Sequence, residues 1–290
     1  MTVERTRAVF DQWLALATEG GDFISTIGAF CALDCRVHVP NGIIADSQTL
    51  AQQTAGVRLF FPDLSVEIER VFALSDHLVV QSVVTGTAQP VMPHLAPVGG
   101  EPMRSFTLMV MEVNAEGRFS QAWTYVNIGA AALFPVPPGA LDRPLPVSPH
   151  PSGTLRQAQA LYQAWTEEME RADMPSALVA VSEPDCIVYA TNGVAGDLAM
   201  MQGHAAIMAA AYPDLSMEIE NVLFFEDRVL IQMLFSATHT GRLGTWEPTG
   251  RHVRFTGVVM MRVTPSGRAA EMWPLLSPGS PLIFPVEYEA

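Results

Sequence analysis

Two side chains in the last quarter of the chain carry groups that can move protons near neutral pH, and both stand in otherwise apolar strands. Along 229–239, Val229, Ile231, Met233, Phe235, Ala237 and His239 alternate with their neighbours. A strand's period of two puts them on one side, so His239 ends an apolar row. By the same rule Glu271, Trp273, Leu275 and Ser277 share a side. An imidazole and a carboxylate facing one apolar space suit general acid–base chemistry, provided partial burial lifts the carboxyl pKa. In that reading His239 transfers the proton, Glu271 is its partner or a second acid/base group, and Trp273 is a stacking wall. The structural alternative puts Glu271 at a rim, salt-bridged to Arg254 or Arg262, with His239 bonded to backbone at a strand end.

A second row lies in the first half. Gln121, Trp123, Tyr125 and Asn127 alternate along one strand, and amide, indole and phenol groups in a row suit hydrogen bonding to a stacked planar ligand. His38, on a short strand, is placed to look into the same pocket. The competing reading is a core aromatic stripe whose polar tips reach neighbours. Metal chemistry has little support: the seven histidines show no HxH or HExxH spacing. Cys31, Cys35 and Cys186 form no CxxC pair. No GxSxG elbow, phosphate loop or dinucleotide fingerprint is present. No cofactor and no metal are expected.

The elements that must position these residues occur twice. Phe61-Pro-Asp-Leu-Ser-Val-Glu-Ile-Glu returns as Tyr212-Pro-Asp-Leu-Ser-Met-Glu-Ile-Glu, and 11 of 28 positions are identical between 61–88 and 212–239. Cys35 maps onto Cys186, Asn41-Gly42 onto Asn192-Gly193, and Trp123 onto Trp273. The chain is a duplication. Seven prolines between Pro135 and Pro151 forbid a regular helix and favour a semi-rigid connection. The expected organisation is a first copy over 1–135, a Pro-rich linker over 136–153 and a second copy over 154–290.

In each copy a helix (2–18; 154–171) precedes a shorter helix (22–33; 173–182) and a brief strand through Cys35 or Cys186. A third helix runs from near Asp46 or Gly196 to the Pro-Asp turn. Four long strands close the copy, at 65–74, 77–88, 104–113 and 118–127, then at 216–225, 228–239, 252–263 and 268–276. Helices followed by antiparallel strands predict an α+β fold with one sheet face covered by helices. His239 becomes Ala88 in the first copy and Glu271 becomes Gln121, so proton-transfer chemistry is expected only in the second.

The whole chain has 290 residues and a formal charge of −14, with 49% hydrophobic and 16% charged residues. Such a composition can fill a sizeable core and disfavours disorder. The acidic balance argues against nucleic acid and anionic membranes as partners. No apolar run reaches the ~18–20 residues of a membrane span. An unpaired cysteine set fits a reduced, cytoplasmic location.

The ordered set Thr238-His239-Thr240-Gly241, Gly244, Pro248-Thr249-Gly250-Arg251, Arg262, Gly267-Arg268 and Glu271-x-Trp273 resembles the SnoaL-like polyketide cyclases of the nuclear transport factor 2-like superfamily. The likeness covers nearly all of 154–285 and, more weakly, 2–135. It implies two tandem cone-shaped α+β barrels, each a curved antiparallel sheet wrapped on helices and packed as an internal pseudo-dimer, with further self-association open. It also implies an apolar cone for a polycyclic ester, ring closure by aldol condensation, a pocket His at His239, and the Glu271–Trp273 row facing the interior. The family's acid/base Asp lies four residues after the Trp of the final strand. Here those positions hold Ser277 and Asn127, neither of which takes a proton from an activated carbon near neutral pH.

The resulting expectation is an apolar pocket for a small hydrophobic or polycyclic carbonyl or ester compound, with cyclase- or isomerase-type chemistry in the C-terminal copy. His239 and Glu271 would be its catalytic residues. Trp273, Ser277, Phe235, His38, Gln121, Trp123, Tyr125 and Asn127 would contact substrate. The alternatives are a non-catalytic binding protein and a structural pseudo-dimer without ligand.

Overall fold

The computed structural model of the chain describes residues 2–19, 26–48, 61–87, 102–127, 133–134 and 136–283. The first copy contains α1 (Val3–Glu19), a 3-10 turn (Ile27–Phe30), β1 (Cys31–His38), β2 (Ile44–Ala45), β3 (Ser65–Ala73), β4 (His77–Thr87), β5 (Pro102–Val113) and β6 (Phe119–Tyr125). The second contains α2 (Leu155–Met169), α3 (Met174–Ala180), β7 (Ser182–Tyr189), β8 (Ala195–Gly196), α4 (Leu198–Ala211), β9 (Ser216–Phe225), β10 (Arg228–Thr238), β11 (His252–Val263) and β12 (Ala269–Leu276). Among the described residues no helix is long and apolar enough to cross a membrane.

Each copy builds a six-stranded sheet of the same order, β2-β1-β6-β5-β4-β3 and β8-β7-β12-β11-β10-β9. The fold is α+β, but the sheets are mixed rather than wholly antiparallel. β1 runs parallel to β6, and β7 to β12. A parallel neighbour needs a long crossover, which the whole length of each copy between these strands provides.

The helices start where the sequence supplies caps. Thr154 and Gln157 close a capping box on α2, whose Ala158, Leu161 and Trp165 are buried on one face. Asp197 caps α4 through the Met200 amide at 2.9 Å. The helix expected over 22–33 is corrected within its described residues: from 26 on they hold one 3-10 turn at Ile27–Phe30, and the chain is already extended at Cys31. Cys35 and Val37 are core residues of β1, and pairing with β6 outweighs local helical preference there. The helix expected from Asp46 to Pro62 lies almost entirely outside the described residues.

Two surfaces of the second sheet are buried in different ways. Val229, Ile231, Met233, Phe235 and Ala237 face α2, α3 and α4 in one apolar cluster. Leu230, Val258, Met260, Trp273 and Leu275 join Phe106, Leu108, Val110, Trp123 and Tyr125 in another. The two sheets therefore pack outer face to outer face, with the helices on the far sides. Phe72 and Phe225 meet across this contact at 4.8 Å, and Gln232 Nε2 donates to Tyr125 Oη at 2.8 Å. The linker lies along the second copy. Tyr189 Oη donates to the Pro146 carbonyl at 2.8 Å, and Arg262 Nη1 to that of His150 at 3.3 Å.

Candidate functional site

The Thr238-His239-Thr240-Gly241 segment leaves β10 under tight backbone control. Asp214 of the Pro-Asp turn accepts from the Thr238 amide at 2.8 Å and from its hydroxyl at 2.7 Å. The Thr240 and Gly241 amides both donate to the Ala211 carbonyl, at 3.1 and 3.0 Å, which satisfies the last turn of α4. A Cβ on Gly241 would stand 1.9 Å from the Ala210 carbonyl oxygen, so glycine is required for this close approach. His239 is fixed in between: its amide donates to Arg251 and its carbonyl accepts from Gly250, each at 2.9 Å. The first copy repeats the anchor, with Asp63 accepting from the Thr87 amide and hydroxyl, both at 2.7 Å. Those hydrogen bonds hold both Asp63 and Asp214 below the ordinary carboxylate range.

His239 continues the inward row of β10 and is fully buried. Its ring lies 5.4 Å from that of Tyr212, and the Tyr212 hydroxyl is itself tied to the Pro278 carbonyl at 2.9 Å. Nδ1 is 3.2 Å from Thr249 Oγ1, while Nε2 is buried with no hydrogen-bond partner. Burial lowers the His239 pKa, so the ring is neutral at pH 7. Such a ring can present either a lone pair or an N–H from Nε2, depending on the tautomer that the Thr249 hydroxyl holds. Met201, Met208, Met233, Met261 and Met272 belong to the same cluster, a flexible, polarizable wall.

Glu271 is not brought to His239, and its placement corrects the interior reading. Val229 pairs with Met261, and Met261 with Met272, along the face turned to the helices. Arg228 pairs with Arg262, and Arg262 with Glu271, along the other face. The two groups also sit at opposite ends of the sheet. Glu271 is level with Arg228, and eleven residues of chain along β10 separate that level from His239, roughly 35 Å of strand. Glu271 forms an ion pair with Arg262, and its Oε1 lies 3.1 Å from Tyr189 Oη. Trp273 stacks on Tyr189 at 4.7 Å and 7°. Alternation places residues within a strand, but only register fixes the phase between strands.

The first-copy row also lies outside its cone. Trp123 stacks with His38 at 4.5 Å, Gln121 Oε1 is 3.0 Å from His38 Nε2, and Gln121 Nε2 donates to Glu112. Tyr125 is buried against Gln232 of the second copy, and burial pushes its phenol pKa up. Asn127 Nδ2 donates to the Leu276 carbonyl at 3.0 Å, and the Ser277 amide to that of Thr256 at 3.3 Å. Of the residues named from the sequence, His239 and Phe235 face the second cone, with Phe235 stacked on Phe255 at 5.1 Å. The others belong to the contact between sheets or its margin.

Residues 159–276 match the family model of the SnoaL-like polyketide cyclases, and residues 10–122 match that of the SnoaL-like domain. The chain carries two SnoaL-like domains in tandem. Among solved structures, it is similar to AclR from Streptomyces galilaeus at 25% identity, over 45% of this chain and 96% of that one, with a TM-score of 0.38. It is similar to IdmH from Streptomyces antibioticus at 22% identity, over 41% and 90% of the two chains, with a TM-score of 0.35. A nuclear transport factor 2-like protein from Burkholderia pseudomallei matches at 14% identity, over 45% and 95%, with a TM-score of 0.34. No curated protein matches the chain.

Within these SnoaL-like domains some site residues escape a reading of the sequence. Thr249 lies ten residues beyond His239, across a turn whose geometry no spacing rule gives. Asp214 was visible as a repeated Pro-Asp pair, but its bond to Thr238, 24 residues on, was not. Trp165 is fully buried with its Nε1 unpartnered, whereas Trp13 of the first copy donates to Thr26 Oγ1 at 3.0 Å. Thr26 corresponds to Ala177 at the offset of 151 that relates Cys35 to Cys186, while Trp13 and Trp165 are 152 apart, so a one-residue shift between the copies hides the lost acceptor. Among the described residues no three His, Cys, Asp or Glu side chains gather as a metal-binding group.

Proposed function

We propose that the C-terminal SnoaL-like domain binds a small hydrophobic carbonyl or ester compound within its cone. His239 Nε2 is the polar contact and proton-transfer group. The observation that carries this reading is a fully buried, neutral imidazole at the end of an apolar row, with one nitrogen held by Thr249 and the other unpartnered. An orphaned buried acceptor or donor costs about 1–3 kcal/mol, which a ligand atom bonded to it would recover. With Nε2 unprotonated, His239 takes a proton from a carbon next to the carbonyl. With Nε2 protonated, it donates a hydrogen bond to the carbonyl oxygen as enolate charge develops. Ring closure or isomerisation of the cyclase type follows from either proton movement.

A binding role without turnover is favoured by one specific feature. Glu271, the other acid/base candidate, is closed into its pair with Arg262 on the opposite face, so His239 works without it. One experiment separates the readings: polycyclic aromatic ketones and methyl esters are screened by thermal shift, and binders are followed for product by mass spectrometry. Product formation that disappears in His239→Gln, with the fold retained, supports catalysis. Stabilisation without product supports a binding protein. If no member of the panel raises the melting temperature, the ligand reading fails.

A further inference from the structure

The first strand of each domain contains an irregularity that sets two side chains four residues apart against each other. Cys31 pairs with Phe119 and Arg36 with Gln121, so β1 spends five residues where β6 spends two. β7 does the same against β12: Ser182 pairs with Ala269 and Ile187 with Glu271. Three extra residues must bulge out of the ladder, and Leu33 and Asp34 stand exposed on this crown. The positions flanking it turn inward. In the first domain they are Cys31 and Cys35, with Cys35 in the core and Cys31 packed against the same cluster. In the second they are Ser182 and Cys186, both buried.

The first bulge therefore carries a dithiol where the second carries a hydroxyl and a thiol. The Cys31 hydroxyl-equivalent contact is also shared: Cys31 Sγ donates to the Ile27 carbonyl at 3.5 Å, as Ser182 Oγ donates to that of Leu178 at 2.6 Å. The backbone holds both pairs alike, but Ser182 is buried where Cys31 is partly exposed. Cys31 remains partly exposed, while Cys35 is buried. That asymmetry is what a dithiol needs for exchange, with one accessible attacking sulfur and one protected resolving sulfur. The nearness of the two thiols lowers the Cys31 pKa and raises that of Cys35.

We infer that Cys31 and Cys35 are a redox-active pair that closes to an intrastrand disulfide by exchange with low-molecular-mass disulfides. The Cys31 thiolate attacks one sulfur of the reagent, forming a mixed disulfide and releasing one reagent thiol. Cys35, losing its proton to solvent, attacks Cys31 Sγ and releases the second reagent thiol. Two protein thiols are oxidised, and one reagent disulfide is reduced to two thiols. The product ties the two sides of the bulge together and pins the β1–β6 register at the wall of the first cone. Cys186, alone beside Ser182 and pushed up to about 12 by burial, does not take part.

The test uses the full chain and oxidised glutathione as the probe. After native incubation, iodoacetamide quench and intact mass measurement, the protein should have lost two hydrogens, with Cys186 the one thiol left to alkylate on unfolding. Cys35→Ser should stop at a single glutathione adduct on Cys31. Ser182→Cys puts a second dithiol at a buried position without an accessible attacking sulfur, so the loss should stay at two hydrogens. The inference is overturned if the wild type keeps a stable glutathione adduct, or if it remains unmodified while a control dithiol in the same tube is oxidised. Closure of the natural pair in Cys186→Ala separates it from any exchange involving Cys186.

Discussion

Gly193 lies against the backbone of Arg104 across the contact between the two sheets, and Arg104 Nε donates to the Gly193 carbonyl at 2.8 Å. A Cβ on Gly193 would stand 2.1 Å from the Arg104 carbonyl oxygen. The duplicated pair, Gly42 and Arg254, repeats the approach more loosely, with 3.0 Å from the added Cβ to Arg254 Cβ. Both glycines have φ +77° in a tight turn, so the same residue serves a turn inside one domain and a close approach to the other. The pseudo-two-fold relation between the domains is thus built from equivalent positions with unequal tightness.

Gly193→Ala should be the more damaging of the two substitutions. Left-handed backbone costs an alanine roughly 1–2 kcal/mol, and displacement of the Arg104 backbone adds a further 1–3 kcal/mol. Gly42→Ala should lose mainly the first part. Gly267→Ala, at φ +80° with open space around it, is the control for backbone strain alone. Urea midpoints ordered Gly193→Ala lowest, then Gly42→Ala and Gly267→Ala, are the expected result.

Glu271→Ala should destabilise the protein without touching ligand binding in the second cone. The carboxylate is the close partner of the buried Arg262, whose distance to Asp227 is 4.0 Å. Removing one member of a buried pair costs about 3–5 kcal/mol. Chemical denaturation would show that loss, while the affinity for any ketone or ester found by thermal shift should remain within twofold at a temperature where the variant is folded.

Acid should weaken the fold through His239. Its folded pKa is lowered by burial, whereas the unfolded chain protonates an ordinary imidazole near about 6.5. The unfolded state therefore binds the extra proton first, so the stability present above that value falls as pH drops toward the lower folded pKa. His38 and His204 are also lowered by burial and add to the slope. His239→Gln should shallow the dependence of the urea midpoint between pH 7.5 and 5.5. An unchanged slope would show that His239 is solvated.

Ala177→Ser should raise the melting temperature. It restores to the second domain the hydroxyl that Thr26 offers Trp13 in the first, and Trp165 Nε1 has no acceptor. A gained hydrogen bond to a buried donor contributes about 1 kcal/mol. Thr26→Ala, the converse change, should lower stability by a similar amount in differential scanning calorimetry.

Much of the architecture was legible from residues alone. The β10 row ending in His239, the Pro-Asp turns at Asp63 and Asp214, and the strand boundaries follow from alternation and turn chemistry, because these act over a few residues. The duplication made each element readable twice. Glu271 shows the limit. Its neighbours Trp273 and Leu275 are as apolar as Met272 and Leu276, so both faces of β12 read as interior, and composition offers no way to choose.

The sequence by itself determined the repeated α+β elements, the inward side of β10 and the residue types available for chemistry. Tertiary structure decided which of those residues meet. Register put Glu271 level with Arg228 and on the far face from His239, and the packing of sheet on sheet turned the Trp123–Asn127 row into an internal contact. Alternation is a property of one strand, fixed by local backbone geometry. Phase between strands depends on hydrogen-bond register and bulges formed between residues distant in the chain.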